Sequence, residues 1–347
     1  MIAALALLAA LPLATASATP CQLQATLVFE GRAGPGHGKS IVFLAGDEEY
    51  RSEEGLPQLA LILAYRHGFR CTVLFSLNQQ GEIDPNTRNN EPGMEALRSA
   101  DLCVMQLRFR EWPNTQMKFF VNYYLAGKPF IALRTSTHAF EYADGSVSPF
   151  RKFGWRSKKW AGGFGRQVLG ETWISHWGDH GHQATRGLIP AESAKNPILQ
   201  GVTEIFGNTD VYEASPPADA EILVKGQVLT GMNSIDPPAG NRKRTIQGAE
   251  QSVNDPMMPV VWVRRLRNEA GKVNKVFTCT MGAATDLLSD GLRRLLVNAA
   301  YWGVGLKVPK HADVDLVGDY RPSMFGFDGF RKGVRPADLA RTSTPSW

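Results

Sequence analysis

The chain has 347 residues, with 38 Lys and Arg against 33 Asp and Glu, a net charge of +5, and 43% hydrophobic and 20% charged residues. This is the balance of an ordinary globular protein; it excludes a disordered or collagen-like chain and leaves ample length for a sizeable core. Basic residues are dispersed except in "RKFGWRSKKW" and "NRKRT", which read as solvated loops, so no nucleic-acid partner is expected.

In chain order, "MIAALALLAALPLATASATP" runs apolar from Ile2 to Leu13 and ends in Ala16, Ser17 and Ala18. That is the pattern of a secretory signal peptide over 1–18, so a secreted or periplasmic location is expected. The run is too short for a membrane span, and no later apolar run is long enough, so none is expected. Residues 19–37 read as a linker. "GRAGPGHGKS" (31–40) looks like a phosphate-binding loop but precedes the first strand instead of following it, and no nucleotide cofactor is expected. Cys71, Cys103 and Cys279 show no C-x-x-C spacing and read as buried thiols or small hydrophobes.

From Ser40 strand and helix patterns alternate. "SIVFLAG" (40–46) is a continuous apolar run, as for a strand covered on both faces. "SEEGLPQLALILAYRHG" follows as a helix, with Ser52 as a cap, acidic residues in the first turn and Gly68 as its stop. Strands over 71–77, 101–108 and 129–135 alternate with helices near 93–99 and over 114–128. Strands and helices joined by tight turns predict an α/β fold: a flavodoxin-like, doubly wound, mostly parallel sheet of about five strands, with helices on both faces. Residues 140–260 are less regular and read as a loop-rich segment inserted over one sheet edge. "PVVWVRRL" and "KVFTCTMG" resume as strands, and 286–305 is an amphipathic helix with apolar residues recurring at three and four. The domain is placed at 38–310, and 311–347 as an extension packed on it with disordered last residues.

In a doubly wound sheet, ligands bind beyond the carboxyl ends of the strands. Those ends carry Asp47, Glu48, Tyr50 and Arg51; Arg108 and Arg110; and Arg134 and His138. Each alone is compatible with helix capping or a surface ion pair. Together they describe a polar pocket for a polyhydroxylated or anionic small molecule, because arginine forks grip carboxylates or vicinal hydroxyls and carboxylates accept hydroxyl hydrogens. "HWGDHGH" (176–182) adds His176, His180 and His182 beside Trp177. Gly178 and Gly181 argue against a helix, so the imidazoles come from a loop. Two readings stay open: a divalent metal such as zinc held by the three histidines, or metal-free acid–base chemistry.

The stretches "IVFLAGDEEYRSEEGLPQLALILAYRHGFRCTVLF", "GKPFIALRTSTHAF", "GGFGRQVLGETWISHWGDHGH", "NDPMMPVVW" and "TMGAATDLLSDGLRRLLVNAAYWGVGL" resemble the ThuA-like (trehalose utilisation) proteins of the class I glutamine amidotransferase-like superfamily. The resemblance covers roughly 38–330. It implies the same flavodoxin-like fold and a role in carbohydrate metabolism. Amidotransferases of the superfamily carry a nucleophilic cysteine on a sharp turn after the fourth core strand. Here that position is Arg134, and an arginine stays protonated and cannot form an acyl intermediate, so glutaminase activity is not expected.

The expected function is therefore an enzyme acting on a sugar or glycoside as a hydrolase, lyase or isomerase. The alternative is a carbohydrate-binding protein that uses the same pocket without turnover. Asp47, Glu48, His138 and His180 are the candidate catalytic residues. Tyr50, Arg51, Arg108, Arg110, Arg134 and Trp177 are the candidate substrate contacts, and His176, His180 and His182 the candidate metal ligands. No spacing specifies an oligomeric state.

Overall fold

The computed structural model describes residues 25–341, so the signal expected over 1–18 and the disorder expected of the last residues lie outside the described residues. Residues 25–37, expected as a linker, instead begin with a strand, β1 (Thr26–Phe29), whose Leu27 and Phe29 are buried. The turn after it docks on the next helix end through Arg32 N–H to Ala64 O and Gly36 N–H to His67 O. Alternating burial of Leu27 and Phe29 is the signature of a half-covered edge strand.

The predicted alternation follows. β2 (Ser40–Gly46) is buried at every position after the first. α1 (Ser52–His67) ends on Gly68, whose φ of 82° suits the residue without a Cβ. β3 (Arg70–Phe75), β4 (Leu102–Leu107), α2 (Asn114–Leu125) and β5 (Phe130–Leu133) complete the first half. β6 (Thr185–Leu188), β7 (Ile205–Gly207), β8 (Glu221–Val228), β9 (Arg242–Arg244) and β10 (Glu250–Ser252) lie in the middle region. β11 (Met258–Arg267), β12 (Val273–Cys279), α3 (Asp290–Val304) and the short α4 (Pro336–Arg341) close the chain.

The central sheet has ten strands in the order β1-β3-β2-β4-β5-β12-β11-β8-β6-β7. Its core, β3-β2-β4-β5-β12, is parallel throughout. Every other pairing in that sheet is antiparallel. The middle region is thus not a loop-rich insertion over one edge: β6, β7 and β8 extend the sheet itself, joined through β11, and the sheet is twice as wide as the five strands expected. The physical reason is the β11–β12 hairpin. It lets the chain reverse and leaves an unpaired edge, which β8 covers by its ladder to β11.

Side chains along the parallel strands alternate between two cores. Ile41, Phe43 and Ala45 pack with α1 and α3, whereas Val42 and Leu44 pack with Met117, Phe120 and Tyr124 of α2. Helices therefore cover both faces of the parallel core. Among the described residues no helix is long and apolar enough to cross a membrane. Cys71, Cys103 and Cys279 are free and buried, as small apolar side chains are.

One glycine anchors the turn after β5. A Cβ on Gly165 would stand 1.9 Å from the Thr137 carbonyl oxygen, within the turn Arg134–His138. Gly165→Ala is expected to cost about 1–3 kcal/mol of unfolding free energy, as overpacking against backbone does. Urea denaturation checks this, and an unchanged midpoint would mean that the two segments can separate freely.

Candidate functional site

The chain leaves β2 to reach β3 on one side, then crosses to β4 on the other side of β2. The crevice where an α/β chain reverses direction lies beyond the carboxyl ends of those two strands. The residues following β2, β4 and β5 occupy it. Three of them adopt left-handed backbone without being glycine: Arg51 (φ 57°), Phe109 (φ 55°) and Arg134 (φ 43°). Such backbone costs energy and concentrates where a fold aims side chains at a site.

Arg134 opens the sharp turn, or elbow, that follows β5, and its side chain is wholly buried. One guanidinium nitrogen donates to the carbonyls of Asp210 (2.6 Å) and Thr280 (2.8 Å). The other donates to Tyr50 Oη (3.1 Å) and Asp210 Oδ1 (2.7 Å). The plane lies against Tyr212 at 3.7 Å and Tyr50 at 4.6 Å. Arg134 is thus spent on the protein, and so is Tyr50; neither reaches a ligand.

Asp210 is the hub. His176 Nδ1 donates to Oδ2 at 2.8 Å and His180 Nδ1 to Oδ1 at 3.2 Å. Burial alone would raise the Asp210 carboxyl, but Arg134 and the two imidazoles outweigh it and hold the pKa well below the usual carboxylate range. His180 also meets Glu49 Oε1 through Nε2 at 3.1 Å. Held at both nitrogens by carboxylates, Asp210 first and Glu49 second, its pKa rises to about 9. Asp210 is itself positioned by Asp286, which accepts from Thr209 N (3.2 Å) and Thr209 Oγ1 (2.7 Å).

The other predicted residues divide. Asp47 is buried and turned into the backbone: Oδ1 accepts from the amides of Glu49 and Tyr50 at 2.7 Å each, and Oδ2 from Thr135 Oγ1. It shapes the turn and does not face the crevice. Glu48 bridges two arginines, Arg108 at 2.5 Å and Arg110 at 3.2 Å. Arg110 is fully buried and also donates to Arg108 O, Ser76 Oγ, Pro85 O and Thr87 O, leaving nothing for a ligand. Arg108 stays partly open and lies over Phe109 at 4.4 Å.

A cavity of about 50 Å³ opens among these groups, lined by Glu49, Arg108, Phe109, His138, Trp173, His176 and Tyr212. It has room for a water or the reacting end of a larger molecule, not for a whole sugar ring. His138 is buried with Nδ1 3.1 Å from Thr137 Oγ1. Burial, then the charges of Arg108 and Arg134, drives its pKa well below the ordinary value, so this imidazole is neutral.

The segment after α3 crosses the crevice. Phe325 packs on Tyr50 (5.3 Å) and His180 (5.5 Å), Gly326 N–H donates to Glu49 O at 2.8 Å, and Phe327 lies over Arg108 at 5.0 Å. Arg51 is buried beneath this segment, where Gly329 passes so close that a Cβ would stand 2.0 Å from its guanidinium. Arg51 is therefore covered by this segment.

Two predicted residues fall outside. Trp177 is wholly buried and donates Nε1 to Val253 O at 2.9 Å. Its neighbour His176 bridges Tyr212 as strand partners do, so alternation sends Trp177 to the opposite face. His182 is exposed and stands apart from the ligand cluster, which comprises His176, His180 and Asp210. Asp210 thus takes the place expected for His182. Glu49, Trp173, Asp210 and Tyr212 were missed. Asp210 and Tyr212 in "NTDVYE" had one available signal, the same-face spacing of two polar residues in an extended stretch.

The His180 pairing gives a pH signature. Its folded pKa of about 9 lies above its ordinary 6.5. The stabilisation is complete below about pH 6.5 and is lost as pH rises through 9. The ring is 35% exposed, so solvent screening reduces the effect to on the order of 1 kcal/mol. Denaturation midpoints should fall between pH 7 and about pH 10, and His180→Ala should flatten that slope.

No family model matches the chain, and no curated protein does. Among solved structures, it is similar to a protein of Bacteroides uniformis ATCC 8492 described as ThuA-like, with 16% identity, a TM-score of 0.44, and coverage of 78% of this chain and 93% of that one. It is also similar to a ThuA-like protein of Parabacteroides merdae ATCC 43184, with 12% identity, a TM-score of 0.43, and coverage of 83% of this chain and 97% of that one.

Proposed function

We propose that this crevice binds one end of a polyhydroxylated compound of the sugar class and performs acid–base chemistry on it. One observation carries the reading: the hydrogen-bonded chain Glu49–His180–Asp210–His176 ends at a cavity that a neutral imidazole, His138, also lines. Two imidazoles, which titrate near neutrality when free, are pushed in opposite directions, so that one stands neutral and the other charged at one pH. His138 would accept a proton. His180, charged and backed by Asp210, would return one through Glu49.

The surrounding side chains suit such a ligand. Arg108 offers donors to a hydroxyl or an anionic oxygen, and Trp173, Tyr212 and Phe109 offer flat apolar faces for sugar C–H groups. The sequence resemblance to ThuA-like proteins supports the sugar class, and the signal-like pattern over 1–18 supports a secreted or periplasmic site of action. With an arginine buried at the elbow, the site offers no acyl-forming nucleophile there.

Incubation with a panel of glycosides should yield product, and Glu49→Gln should lower kcat/KM about 100-fold while narrowing the basic limb of the pH profile. Saturable sugar binding with no product after long incubation would replace the enzyme with a carbohydrate-binding protein.

A second reading is favoured by one feature. Ligand atoms of His176, His180 and Asp210 all lie within 4.8 Å of one another, a donor set that zinc accepts. A divalent ion held there would supply Lewis-acid polarisation. Against it, Arg134 already places a positive charge 2.7 Å from Asp210 Oδ1. Metal analysis decides: the acid–base reading expects substoichiometric metal and turnover indifferent to a chelator, and stoichiometric zinc with chelator-sensitive turnover would establish the ion.

A further inference from the structure

The cavity is too small to hold more than the reacting end of a ligand, so the rest of that molecule must lie outside it. The space outside is specific in character. A groove of about 540 Å³ is lined by Arg88, Arg151, Lys152, Arg156, Lys158 and Lys159, most of them from the basic stretch "RKFGWRSKKW". Three carboxylates line it too: Glu111, Glu141 and Asp144. Glu141 is already matched by Arg88 at 3.1 Å and Arg156 at 3.8 Å, and it accepts from Trp155 Nε1 at 3.2 Å. Lys152 pairs with Glu269 at 3.0 Å. Among the described residues, Arg151, Lys158 and Lys159 have no carboxylate within ion-pair distance, and both lysines are exposed. The groove therefore keeps a net positive lining after its internal pairs are satisfied.

Trp155 stands between groove and cavity. Trp155 sits between Gly154 and Arg156, which line the groove, and its ring lies 5.8 Å from Phe109, 6.3 Å from His138 and 6.2 Å from Trp173. All three of those residues line the cavity. On the opposite side, Arg88 lines the groove and donates Nε to the Phe109 carbonyl at 2.5 Å. The two spaces are thus one tryptophan apart, close enough for one chain-like ligand to reach both.

We infer that this groove is a subsite for acidic groups, so that the compound processed at the neighbouring cavity is an anionic oligosaccharide bearing carboxylate or sulfate groups. A neutral sugar would leave the charges of Lys158, Lys159 and Arg151 unmatched, whereas carboxylate or sulfate oxygens accept from ammonium and guanidinium donors. The inference rests on the proposed reading of the cavity as a sugar site.

The test is calorimetric titration of the full chain with a trigalacturonate, a sulfated tetrasaccharide and maltotriose. The wild type is compared with the triple variant Arg156→Gln, Lys158→Gln, Lys159→Gln, whose positions are exposed and whose folding is checked by its thermal midpoint. At least one acidic oligosaccharide should bind about tenfold more tightly than maltotriose, and raised salt should weaken it. The triple variant should lose about tenfold in that affinity and leave the neutral sugar unchanged. Preference for the trigalacturonate or the sulfated compound identifies the acidic group, and either supports the inference. Acidic affinity unchanged in the triple variant, or maltotriose binding as tightly as the acids, would overturn the inference and leave the sugar reading standing. Binding of none of the three overturns both.

Discussion

Arg134→Ala is expected to lower the unfolding free energy by about 3–5 kcal/mol, the cost of stripping a buried charge of its partner. The side chain and Asp210 are both wholly buried, 2.7 Å apart. Removing the guanidinium leaves the Asp210 carboxylate with two imidazoles only, and the Asp210 and Thr280 carbonyls lose their shared donor. It also leaves Tyr50 and Tyr212 without the plane they sandwich. Arg134→Lys should recover part of the stability, because an ammonium keeps the charge but not the fork or the stacking. Urea denaturation of the three proteins reads this directly. A loss of less than about 1 kcal/mol in Arg134→Ala would show that water replaces the arginine.

His138→Ala is expected to lower kcat/KM about 10²–10⁴-fold, the range of a positioned acid or base. The ring is buried at the cavity wall and held neutral by burial and by Arg108 and Arg134. Its depressed pKa has its own sign in stability. The unfolded chain takes up a proton below about pH 6.5 that the folded chain does not, so this contribution is lost as pH falls. That is opposite to His180, whose contribution is lost as pH rises through about 9. The native state should therefore be most stable near pH 6.5, where both contributions are in place, and His138→Ala should remove the acid-side dependence along with turnover. If the variant keeps wild-type kcat/KM while losing that dependence, His138 is a packing residue and the base lies elsewhere.

Much of the parallel core was legible because its cause is local. The continuous apolar runs at 40–46 and 102–107, the acidic first turn of α1 and the glycine that stops it are read from neighbours in sequence. The rule that polar groups collect beyond the strand ends then located the crevice. Within it, His138, His176, His180 and Arg108 line the cavity or its hydrogen-bonded chain. Roles were harder to read than places. Asp47, Arg110 and Arg134 stand at the same strand ends, and nothing in their spacing shows that each is held by protein partners 25 to 146 residues away.

The sequence alone determined the alternation of strands and helices and the sheet edge at which polar groups gather. These follow from periodicity, from chain direction and from residue chemistry, all of which act over a few neighbouring residues. Only the tertiary structure decided which groups share a proton. Asp210 is 30 residues from His180 and Glu49 is 131 residues before it, and a hydrogen bond depends on distances of an ångström that no spacing conveys. It also decided that Trp177 packs inward and that Trp155, within the basic stretch, packs against residues lining the cavity, because both depend on which face a strand or loop turns once its partners are in place.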